Sequence, residues 1–208
     1  MYVAGRHSWR ISIDEPPVLR LALYLREIYQ LPARTDPEIP ALDPPASAWP
    51  AWSRRPPPLE PMQLTSIERE AASIQWARWW KHAVQIGSSA MRELTPPSFK
   101  SFSHVPELRA LLVRHYTQAL LWADAFADDP RLKRDHLAPG TRLTELVHEL
   151  EAAAGRTARP FELRITVIPV QTKHAWILDP GHLLITHHLI ADDENVLDWL
   201  RPKIRALV

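Results

Sequence analysis

Ten of the chain's 21 prolines fall between residues 32 and 61, and no other feature limits the possible folds so strongly. Proline fixes φ near −65° and has no N–H to give, which keeps such a stretch out of helix interiors and sheet centres. Residues 32–62 are therefore expected to form an extended, polyproline-II-like arm. Trp49 and Trp52 lie within it. Two indoles left in water would be costly, so the arm is expected to dock, either on its own chain or on another. Arg54 and Arg55 then open the run Arg55-Pro56-Pro57-Pro58-Leu59-Glu60-Pro61, which fits the +xxPxxP pattern that aromatic grooves receive. A preformed arm loses little entropy on docking, and tryptophan anchors supply contact area.

Around this arm the hydrophobic spacing is regular. Residues 1–31 read as a short strand (Val3 to Ile13) and a helix from Val18 to about Leu31, closed by Pro32. Residues 63–208 read as the main domain. Thr65 to Glu68 is a capping-box signature opening a helix to about Leu94, with Ile67, Ile74, Trp76, Trp80 and Val84 expected inward. The clearest seam is Leu108, Leu112, His115, Ala119, Trp122 and Phe126, a helix packed against helices. A further helix carries Leu143, Leu146, Val147 and Leu150 inward and stops at Gly155. From Phe161 to Val167 the period drops to two, the mark of a strand with one wet face. Ala175–Leu178 and Leu183–Ile190, joined by Asp179-Pro180-Gly181, read as a hairpin. A last helix is capped at Asp192 or Asp193, and Pro202 is expected to bend or shorten it. Helices followed by a small antiparallel sheet and a closing helix make an α+β protein, one structural domain overall.

The net charge is +1 with histidine neutral, so no global field draws in nucleic acid or an anionic membrane. No cysteine is present, which removes disulfides, thiolate nucleophiles and Cys-ligated zinc. Five scattered glycines leave no phosphate-cradling loop. No apolar run approaches the ~20 residues of a membrane span, and the N-terminus does not read as a signal peptide. With arginine supplying 20 of the 25 basic residues, the expectation is a protein of a bacterial cytoplasm.

Five places could carry chemistry. In the C-terminal hairpin, a tight turn would set His174 opposite His187, with Cβ atoms about 5 Å apart and within reach of Zn²⁺ or another divalent metal. His188 is the next candidate ligand, although adjacent strand residues point to opposite faces. His148-Glu149-Leu150-Glu151-Ala152 begins like the zinc-protease HExxH, but Ala152 stands where the second histidine is needed. His115 sits on an apolar seam, either as a neutral core residue or as a buried base. Arg78-Trp79-Trp80-Lys81-His82 mixes cations with indoles that could stack on single-stranded nucleic acid, yet Trp76 and Trp80 share the spacing of a core. The proline arm is the fifth.

No catalytic set is complete, and no cofactor is called for. The expected function is non-enzymatic: protein–protein interaction or assembly, with another protein or its own copy. The partner-binding candidates are Trp49, Trp52, Arg54, Arg55 and Trp79. The alternatives are a metal-dependent hydrolase-like enzyme built on His174, His187 and His188, and a nucleic-acid-binding protein.

Overall fold

The computed structural model describes residues 2–5, 9–32, 34–50, 59–127 and 139–208. The protein is α+β, and its backbone divides into two compact units. One comprises Met1–Glu15, Asp129–Ile168 and Thr172–Val208; the other comprises Pro16–Asp128 and Pro169–Gln171. This division does not follow boundaries at 31/32 and 62/63, because the first strand belongs to the sheet while the first helix and the arm belong with the other helices. Among the described residues, no helix is long and apolar enough to cross a membrane.

Among the described residues, the sheet unit holds five strands in the order β1-β2-β3-β5-β4. They are β1 (Tyr2–Gly5), β2 (Trp9–Asp14), β3 (Phe161–Ile168), β4 (Ala175–Asp179) and β5 (His182–Thr186). The expected single N-terminal strand is thus two, paired antiparallel. The sheet is also mixed and not wholly antiparallel: β3 lies at its centre and pairs in parallel with both β2 and β5. Parallel strands are usually buried on both faces, and five of the last six residues of β3 are buried. One face carries Ile11, Ile13, Leu163, Ile165, Leu183 and Ile185. These form one cluster with Leu146, Val147 and Leu150 of helix α4 (Pro139–Ala154) and Val196, Leu200 and Ile204 of helix α6 (Asp193–Leu207). Helix α6 runs on through Pro202 to Leu207.

Register in the hairpin differs from a plain tight turn. Ile177 pairs with Leu183 but Asp179 pairs with His182, so Leu178 is an extra residue, a bulge. Thr186 ends β5, and its hydroxyl accepts from the backbone N–H groups of His174 (3.0 Å) and Leu189 (3.4 Å). The second bond caps the short helix α5 (His187–Ile190). The chain therefore leaves the strand four residues earlier than the run Leu183–Ile190 suggests.

In the helical unit, α1 (Pro17–Ile28) is buried from Val18 through Leu25, and Arg20, the one charged residue of that span, donates to Ala123 O at 3.0 Å. α2 (Ser66–Ile86) opens with the expected capping box: Thr65 Oγ1 accepts from Glu68 N, and Glu68 Oε2 accepts from Thr65 N at 2.8 Å. A 3₁₀ stretch over Gly87–Glu93 replaces the end of the long helix that the spacing predicts. α3 (Pro106–Ala127) buries all six residues of its predicted seam. Two of the unit's buried indoles are tied down. Trp76 Nε1 donates to Ala22 O (2.7 Å) and stacks on Trp80 at 5.4 Å, and Trp122 Nε1 donates to Ala48 O (3.1 Å).

That last bond belongs to the arm, whose described residues strap onto their own helical unit. Ile39, Leu42 and Pro50 are buried. Arg26 donates to the carbonyls of Ile39 (2.7 Å) and Pro40, and Glu27 accepts from Ala46 N at 2.7 Å. Leu42 forms an isolated bridge with Val170, flanked by Asp43 N to Pro169 O and Gln171 N to Ala41 O, both 3.0 Å. The proline segment cannot build a ladder of its own, so side chains of α1 and α3 satisfy its backbone.

Candidate functional site

The outer face of α3 exposes two large aliphatic side chains. At 100° per residue, Pro106, Ala110, Val113, Thr117, Leu121 and Asp124 fall in one stripe, opposite the buried seam. Val113 is 56% exposed and Leu121 45%, although each is large and aliphatic. Where the arm returns to α2, Met62 joins Pro106, Arg109, Ala110, Val113 and Arg114 around a groove of about 600 Å³. Leu59 beside it is 43% exposed.

His115 holds the arm at Leu59. Its Nε2 faces Leu59 O at 3.3 Å, and a carbonyl only accepts, so the ring proton sits on Nε2. Nδ1 then accepts from the Tyr29 hydroxyl at 3.0 Å. Burial, with the charge of Arg114 adding to it, lowers the pKa of His115 to about 4. Both nitrogens are engaged and the ring is neutral, so in this arrangement His115 clamps the arm to α1 and α3 and has no lone pair to offer as a base. Arg114 reaches Glu60 O at 3.5 Å.

The C-terminal histidines do not make the opposed pair that the sequence suggests. Thr186, not His187, stands across from His174, with Thr186 N donating to His174 O at 3.0 Å. The bulge at Leu178 shifts the register by one, and Thr186 caps a helix before His187 is reached. His187 and His188 consequently lie on a helical turn and not on opposite faces of a strand; their rings approach to 3.9 Å. His174 is exposed and turns its ring edge-on to Trp176 at 4.8 Å.

The sheet unit also buries His182, a member of the C-terminal histidine group in the sequence. His182 is 3% exposed, on β5 beside Arg164 of β3. Arg164 donates to its Nδ1 at 2.8 Å and Nε2 lies 2.9 Å from Thr166 Oγ1. Burial first, then the neighbouring guanidinium, lowers its pKa to about 4. A hydroxyl beside a histidine invites comparison with a nucleophile and its base. The arginine excludes that role here: with Nδ1 accepting, Nε2 carries the proton and cannot remove one from Thr166.

The HExxA segment serves structure. His148 Nδ1 pairs with Glu151 Oε2 at 2.9 Å and meets Trp9 edge-on, while Glu149 bonds Arg201 at 3.0 Å. Trp79 is 6% exposed, edge-on to Phe102 at 5.7 Å, which leaves no open ring face for a base to stack on. Trp49 is half-buried; Trp52, Arg54 and Arg55 lie outside the described residues. Of the inward face expected for α2, Ile67 (81%) and Ile74 (46%) are exposed, because the three indoles, not the aliphatic residues, set which side turns inward.

Comparison of the chain with protein-family models, with curated proteins and with solved structures gave no match.

Proposed function

We propose that this chain is a non-enzymatic interaction or assembly protein whose contact surface is the outer face of α3. The observation that carries this is the exposure of Val113 and Leu121 on one helical stripe beside a groove of about 600 Å³. An aliphatic stripe with a rim of arginines has the composition of an interface centre, where apolar side chains lose water and cations define the edge. The arm acts here as scaffold: pinned by Arg26, Trp122 and His115, it holds Met62 as one wall of the groove. The cysteine-free, arginine-rich composition agrees with a bacterial cytoplasm as the setting.

The test is a photo-crosslinking residue placed at 113, 121 or 81 in the full chain, expressed in the cells it comes from. Lys81 is exposed on α2, off the stripe, and serves as the control position. A protein captured at 113 and 121 but not at 81, and lost on Val113→Asp, is expected. Equal capture at all three positions, or none, removes the proposal.

A further inference from the structure

We infer that the partner seated on this face is a second copy of α3, antiparallel about a twofold axis at Thr117; this rests on the reading that the face binds protein. The stripe is nearly symmetric about that residue. Val113 lies four residues before Thr117 and Leu121 four after; Ala110 lies seven before and Asp124 seven after. An axis through Thr117 therefore sets each copy's Val113 against the other's Leu121, and Ala110 against Asp124. A twofold interface has to be self-complementary in this way.

Charge selects the direction. Seven residues of helix rise about 10 Å, which brings Asp124 of the second copy level with Ala110. Arg109 and Arg114 flank Ala110, one on each side of the stripe. Long helical side chains lean toward the N-terminus, which carries the Arg114 guanidinium toward that level. Its contact with Glu60 O is long, at 3.5 Å, and is made by one guanidinium nitrogen. Parallel pairing would set Asp124 against Asp124 and arginine against arginine, which repel. The groove edged by Met62, Ala110 and Val113 opens where Leu121 of the second copy arrives, a hole for that knob. Thr117, with its short side chain, lets the helices approach at the axis.

One helix pair is a small contact beside the roughly 1,600 Å² of a standard interface, the size class of weak, transient association, so the equilibrium is sought at micromolar concentrations. Light scattering and sedimentation of the full chain over about 5–200 µM read it directly. A monomer–dimer equilibrium is expected. Asp124→Arg or Arg114→Asp alone weakens it at least about tenfold, and the two together restore it to within about threefold. Because the chain has no cysteine, Thr117→Cys introduces a single thiol that cross-links the dimer under mild oxidation, while Lys81→Cys does not. A monomer at every concentration, or a dimer indifferent to the charge swaps and left uncross-linked when the Thr117→Cys variant is oxidised, overturns the second copy as occupant. Cross-linking from position 113 in cells then separates the two failures: a different protein captured there keeps the binding face and loses the homodimer, and no capture removes both.

Discussion

Arg164 donates to Nδ1 of His182 across 2.8 Å, and that one contact fixes the protonation of a buried ring. The folded pKa is about 4, below the ~6.5 of a free histidine. Between those values the unfolded chain binds a proton that the folded chain refuses, so stability is present above about pH 6.5 and is lost as the pH falls toward 4. His115, also held to about 4, acts in the same direction. Each contributes up to about 3 kcal/mol. Urea unfolding between pH 7.5 and 4.5 is expected to show the decline, and His182→Gln should remove about half of it. A flat profile would mean that the rings are not locked neutral. Asp192, held down to about 2 by hydrogen bonds from Lys173 and Asn195, titrates below this window and does not confuse it.

Two helices end in the same motif with different residues at its left-handed position. After α1, Gln30 N bonds Glu27 O, Leu31 N bonds Arg26 O, and Gln30 has φ 49°. After α4, Gly155 N bonds Ala152 O, Arg156 N bonds Glu151 O, and Gly155 has φ 63°. A side chain is strained there and glycine is not. Gln30→Gly is expected to stabilise the protein by about 0.5–1 kcal/mol, and Gly155→Ala to cost about 1 kcal/mol. An added Cβ at Gly155 meets nothing within 4 Å, so that loss reads the backbone alone. Chemical denaturation of both variants checks the pair, and a stabilising Gly155→Ala would contradict it.

Thr186 holds the register beside the bulge. Thr186→Val keeps the shape but takes away the acceptor for His174 N and Leu189 N. The expected cost is about 2–3 kcal/mol, one unsatisfied donor at each site. Hydrogen exchange should show faster exchange at those two amides specifically.

Arg26 tethers the proline arm through two carbonyls while lying over the Trp76 ring at 5.6 Å. Arg26→Met leaves Ile39 and Pro40 without these donors and should cost about 2 kcal/mol or more. Limited proteolysis is the sharper reading. Cleavage between residues 34 and 50 should accelerate well beyond the change in global stability, whereas an arm that is not tethered would be cut equally fast in both proteins.

Much of the secondary structure is legible because it rests on local chemistry. The capping box at Thr65 and Glu68, the α3 seam and the alternation from Phe161 each announce themselves within a few residues. What the sequence conceals is non-local or turns on a single residue. The parallel neighbour of β3 is β2, at the other end of the chain. One bulged leucine and one threonine cap move His187 off the strand, and with it the premise of the metal pair. The docking of the arm on its own helices depends on Arg26 and Trp122, whose donors carry no pattern in the sequence. On α3 the buried seam is plain, but Val113 and Leu121 show their meaning only once that seam is known to lie on the opposite side.

The pairing of Trp9 with Phe161 also sets an order of events on the ribosome. Pro16–Asp128, nearly all of the helical unit, is synthesised before any residue of β3 exists. Until then β2 has only β1 beside it, and a lone two-stranded hairpin is marginal in water. Synthesis halted before residue 161 would therefore leave the β2 edge open to foreign strands.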